Sequence, residues 1–140
     1  MSNEFSKDFL YYIILEEGNV FLNIDNNNLF FLKKQNDNSY IIFNDKINKA
    51  LDLFNRDNKW NLFFSDISNV TTQRFYINKQ DNVYFIKSKH LNLYLCGNIG
   101  FFGKLNLSWR KFDGNKWEDG IFQSTWNITC LLYTSPSPRD

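Results

Sequence analysis

Apolar and polar residues alternate with period two along most of the chain. Val20, Leu22 and Ile24 are interleaved with Phe21 and Asn23, and Leu51 and Leu53 flank Asp52. The pairs Leu62/Phe64 and Phe75/Ile77 and the trio Leu105/Leu107/Trp109 continue the pattern. Alternation of this kind gives an extended strand one apolar face, whereas a helix needs apolar positions three and four apart. Phe, Tyr, Ile and Val dominate these segments, and such side chains suit a pleated surface. Polar clusters separate them: Glu16–Asn19, Asp25–Asn28, Gln35–Asn38, Asn55–Asn58, Asn78–Asn82 and Asp113–Lys116. Asn and Asp tolerate left-handed backbone, so each cluster predicts a turn. Short strands with turns at this spacing predict an all-β fold, either a barrel or a sandwich.

The pattern repeats internally. Tyr40-Ile41-Ile42 precedes Leu51 by the same interval as Tyr84-Phe85-Ile86 precedes Leu95, and a weaker copy runs from Tyr12-Ile13-Ile14 to Leu22. Downstream, Gln73-Arg74-Phe75-Tyr76-Ile77 is echoed by Gln123-Ser124-Thr125-Trp126-Asn127-Ile128. The starts at Tyr12, Tyr40 and Tyr84 lie 28 and 44 residues apart, so the copies are unequal. The first lacks room for a fourth strand, because Tyr40 follows Leu29–Lys34 almost at once. The third carries an insertion, Gly97 to Gly103.

Length and charge narrow the reading. The 140 residues fit one domain. A net charge of +1 supplies no field to steer nucleic acid, and an aromatic share of 19% argues against disorder. The longest early apolar run, Phe9 to Leu15, is too short to span a membrane. It lacks a basic flank and a cleavage pattern, so no signal peptide is expected, which leans toward the cytoplasm. Residues 130–140, CLLYTSPSPRD, resemble a translated sequencing-library adaptor and hold both prolines of the chain. The expectation is therefore one domain over 1–129, truncated at its C-terminus as in a metagenomic fragment, and an artefactual tail over 130–140.

From about residue 10 to 128 the repeat resembles the ricin B-type β-trefoil lectin-like domain. Lys49-Ala50-Leu51-Asp52-Leu53 is the closest stretch, followed by Leu62-Phe63-Phe64 and Gln73-Arg74-Phe75 at family-like distances. The resemblance implies a β-trefoil of three pseudo-repeats, with the first shortened, and a non-catalytic carbohydrate-binding function. Its partner would be a glycan or glycoprotein, with no cofactor. It also implies a site in which a carboxylate accepts hydrogen bonds from neighbouring sugar hydroxyls. An aromatic ring covers the sugar's C–H face, and an amide completes the set. In the second repeat these are Asp52, Phe64 and Gln73, with Phe63 replacing Phe64 if the register slips by one. Thr72 stands where the family has Asn, which weakens the site, and in the family the Gln at position 73 is partly structural. In the first repeat Asn23 and Phe31 hold the corresponding positions; in the third, Cys96 replaces the carboxylate and no site is expected.

Other features carry less chemistry. His90 is the single histidine and has no Cys or carboxylate pair beside it in sequence, which argues against a metal site or a catalytic triad. Asp25–Asn28 lacks the glycine and distal glutamate of a calcium loop. The glycine-rich stretch from Gly97 is not followed by the Lys and Ser/Thr of a phosphate loop. Within it, Phe101 and Phe102 either fold back over the barrel or stand out as an anchor. The second case implies the alternative function, a protein-interaction β-trefoil of the actin-bundling or toxin receptor-binding kind.

Overall fold

A computed structural model describes residues 5–111, 117–118 and 120–131. The strands are β1 Tyr11–Leu15, β2 Val20–Phe21, β3 Phe31–Lys34, β4 Tyr40–Asn44, β5 Lys49–Arg56 and β6 Lys59–Ser65. They continue with β7 Phe75–Gln80, β8 Val83–Ser88, β9 Tyr94–Ile99, β10 Leu105–Arg110, β11 Trp117–Glu118, β12 Phe122–Gln123 and β13 Trp126–Cys130. Single 3-10 turns cover Thr71–Gln73 and Phe101–Gly103.

Among the described residues, ten of the eleven non-glycine residues with positive φ are Asn or Asp. Seven of these are Asn, a third of the chain's 21 asparagines. Asp57-Asn58 and Asp81-Asn82 form two-residue loops with positive φ at both positions. Such turns match the twist of the strands they join, and Asn and Asp enter that region at low steric cost. The strands reach closer to the turns than the polar clusters imply: Asn55 lies in β5 and Asn78 in β7. The expected Asp113–Lys116 turn lies outside the described residues.

Among the described residues six strands close a barrel. Tyr11 pairs with Phe30, Tyr40 with Phe75 and Tyr84 with Trp126, each joining the first strand of a repeat to its fourth. β3 then pairs with β4, β7 with β8 and β13 with β1, which completes the ring. Closure removes exposed sheet edges. The β5–β6 and β9–β10 hairpins project from the barrel as caps. The arrangement is a β-trefoil.

Threefold equivalence is exact in spacing over the first two strands of each repeat. Tyr11, Tyr40 and Tyr84 are each followed two residues later by a core isoleucine, Ile13, Ile42 or Ile86. Eleven residues after the tyrosine comes a core leucine, Leu22, Leu51 or Leu95. The first copy therefore starts at Tyr11, one residue before the expected Tyr12. The fully buried rings Phe30, Phe75 and Trp126 hold the fourth-strand position. Phe64 lies stacked 6.4 Å from Phe30, and Trp109 stacked 6.2 Å from Phe75, each third-strand ring against the preceding repeat's fourth.

One expectation is corrected. The first repeat keeps its fourth strand, β3, and lacks its third among the described residues. After β2 the chain makes only a tight bridged turn, Ile24 to Asn27. The Asn27 side-chain amide donates to the carbonyls of Ile24 and Asp25 at 3.3 and 3.0 Å. Leu29–Lys34 reads as a third strand because it follows a turn; its pairing with Tyr11 and β4 makes it the fourth.

The expected tail begins inside the fold. Cys130 pairs with Tyr11, and the Leu131 N–H donates to the Leu10 carbonyl at 2.9 Å. Residues 132–140 lie outside the described residues. No described helix is long and apolar enough to cross a membrane.

Candidate functional site

Asp52 sits in the middle of β5 and Phe63 is its direct cross-strand partner on β6. Side chains of directly paired residues share a face, so the ring lies beside the carboxylate. Phe63 also makes an edge contact with Phe54, centroids 5.0 Å apart. Phe64 points the other way: it is 9% exposed and stacks on Phe30 in the core. Its expected role as the sugar-facing ring is thus corrected, and the one-residue slip is the geometry observed.

The Asp52 carboxylate is held from several directions. Oδ1 accepts the Leu53 N–H at 2.7 Å. Oδ2 accepts the Ser65 hydroxyl at 2.5 Å and the Gln73 amide at 3.2 Å. Burial, the largest single influence, pushes its pKa up, but hydrogen bonds from Ser65, Thr72, the Leu53 N–H and Gln73 together outweigh it. The net effect holds the group below the ordinary carboxylate range, so it is an anion at neutral pH.

Gln73 is 1% exposed and acts as a clamp. Its amide also donates to the Asp66 carbonyl at 2.7 Å and to Ser65 Oγ at 2.9 Å, while its oxygen accepts the Ser68 N–H at 2.9 Å. The residue thereby ties the 66–72 loop to the hairpin that carries Asp52. With both ends of the amide occupied, Gln73 positions Asp52, whose face of the hairpin also carries Ser65 and Phe63. Ser65 is missed by sequence reading; its signal is its spacing two residues beyond Phe63, on the same face of β6.

The other expected positions do not assemble in this way. Asn23 is exposed and follows the end of β2. Phe31 belongs to the fourth strand, where it pairs with Phe43 and packs on the small outer cluster of Ile41, Phe43 and Ala50. It is therefore not the equivalent of the β6 aromatics, and its expected stacking role in the first repeat is corrected. Cys96 is fully buried. Gln123 is also 1% exposed, but its oxygen accepts the Glu17 N–H at 2.6 Å and so joins the third repeat to the β1–β2 turn of the first. His90 hydrogen-bonds Thr71 at 2.9 Å and touches Trp60 edge-on. Among the described residues no group of three His, Cys, Asp or Glu side chains is placed to hold a metal ion.

A second polar region lies at the junction of the first two repeats with the β8–β9 turn. There Gln35, Asp37, Asn69, Thr71, Arg74 and Lys89 line a depression of about 260 Å³. Lys89 pairs with Asp37, which also accepts the Ser39 N–H at 3.0 Å and the Ser39 hydroxyl at 2.6 Å. The Lys89 ammonium is the main reason that Asp37 lies far below the usual carboxylate range.

Among solved structures, the cytolethal distending toxin of Actinobacillus actinomycetemcomitans matches with a TM-score of 0.74 at 10% identity, over 91% of this chain and 95% of that one. The Polyporus squamosus lectin, bound to a sialylated influenza-binding epitope, matches at 0.68 and 16% identity, over 89% of this chain and 50% of that one. The BEL β-trefoil matches at 0.67 and 13% identity, over 92% and 97%. The likeness is one of fold. No family model and no curated protein matches the sequence.

Proposed function

We propose that this chain is a non-catalytic, ricin B-like carbohydrate-binding module whose site lies in the second repeat. The carrying observation is the ionised Asp52 carboxylate beside the Phe63 ring, with its direction fixed by Ser65 and Gln73. A sugar lying over Phe63 would place one hydroxyl at the Asp52 carboxylate, where Leu53, Ser65 and Gln73 already donate, and Ser65 would extend the polar edge. A fixed anion binds hydroxyls without first losing rotamer freedom. Affinity per site is expected to be low, with specificity resting on hydroxyl geometry. The Polyporus squamosus lectin, which shares the fold, supports this reading without identifying the sugar.

A glycan array of the full chain tests it, run alongside Asp52→Asn and Phe63→Ala. The expected result is binding to a restricted sugar class that falls at least about tenfold in each variant, the loss of one good hydrogen bond or ring contact. Binding unchanged in both folded variants refutes the assignment.

A further inference from the structure

The β9–β10 hairpin ends in a feature the sugar site does not use. Phe101 is 89% exposed and Phe102 fully so, the two most exposed large apolar side chains described. They do not fold back over the barrel. Phe102 also has φ 61 and ψ 26, a left-handed conformation that is unusual for a bulky residue. The loop is nonetheless closed, since the Gly100 N–H donates to the Lys104 carbonyl at 2.7 Å. The tip is therefore a built protrusion that holds two rings in water.

Its surroundings indicate what would cover them. Ile99, at the root of the tip, is exposed, and Ile121 across the adjoining cleft is 58% exposed. Lys104 follows the tip and is itself exposed. From Tyr94 to Trp109 the chain has one cation, Lys104, and no carboxylate. One acid, Glu17, lines the cleft beyond Ile99. The tip is convex, with nothing within 4 Å of a Cβ built at Gly103. A convex apolar tip flanked by a cation matches the layered chemistry of a bilayer surface, acyl chains beneath anionic headgroups.

We infer that the Phe101-Phe102 tip docks this domain on an anionic lipid surface, with both rings at the acyl boundary and Lys104 among the headgroup phosphates. The inference does not depend on the sugar reading. The test is co-sedimentation of the full chain with glycan-free phosphatidylcholine vesicles, with and without a minor share of phosphatidylserine. Partition is expected on the phosphatidylserine vesicles and should weaken as salt is raised. Phe101→Ala/Phe102→Ala should lower it at least about tenfold with an unchanged melting curve, because the rings contribute to binding and not to the core. Lys104→Ser should reduce only the phosphatidylserine-dependent part. No partition of the native chain, or partition unchanged in the double variant, overturns the inference. Partition lost instead in Asp52→Asn would show that the sugar site is the contact, and would also overturn it.

Discussion

Asp52→Asn is the most informative single change, because it tests the clamp and the charge together. The substitution conserves shape. Oδ1 still accepts the Leu53 N–H, but an amide NH2 replaces Oδ2, which accepts from the Ser65 hydroxyl and the Gln73 amide. Ser65 can turn to accept, whereas Gln73 then faces another donor. Two charge-assisted bonds, each contributing about 1.5–3 kcal/mol, become neutral or are lost. Relief of a buried charge offsets part of this, leaving a net loss of about 2 kcal/mol at pH 7. The folded pKa lies below the unfolded one. Its stabilisation is therefore complete above the unfolded value, about 3.9, and disappears as pH falls through the folded value. Urea titrations at a series of pH values should show the native chain and the variant separated at pH 7 and converging as the pH falls below about 4. Asp37 and Asp66 titrate in both proteins and cancel in the difference. A gap that is absent at pH 7, or that stays constant into acid, refutes the clamp.

Other predictions address the scaffold and the site. Trp126→Phe copies the residue at the equivalent Phe30 and Phe75 positions, yet should lower stability by about 1–3 kcal/mol. The indole N–H donates to the Leu95 carbonyl at 3.0 Å, and a phenyl ring leaves that acceptor unpaired; urea unfolding measures the effect. Gly97→Val should destabilise by about 1–3 kcal/mol, because even a Cβ there lies 3.0 Å from the Leu105 side chain and 3.2 Å from that of Leu15. Asn82→Val puts a β-branched residue at φ 76 and should lower the melting temperature by the equivalent of about 1–2 kcal/mol. Sugar affinity, measured by titration calorimetry, should stay flat from neutral pH down to about pH 4 and fall only as Asp52 protonates.

Much of this molecule is legible in the chain itself. Alternation and asparagine turns determine an all-β fold, because period-two patterning gives a strand one apolar face and because Asn and Asp accept left-handed backbone. The Tyr, Ile and Leu intervals carry the threefold repeat, and Asp52 and Gln73 are visible as the polar elements of its second copy. Residues distant in sequence decide the rest. Phe63 and Phe64 both fit the sequence pattern; pairing with Asp52 assigns one to the open face and stacking on Phe30 assigns the other to the core. Leu29–Lys34 reads equally well as a third or a fourth strand until Tyr11 and β4 pair with it. Neither the clamping role of Gln73 nor the exposure of Phe101 and Phe102 is determined by local composition. Local sequence sets backbone preference and facial pattern, whereas burial and hydrogen-bond partners depend on which distant strand arrives alongside.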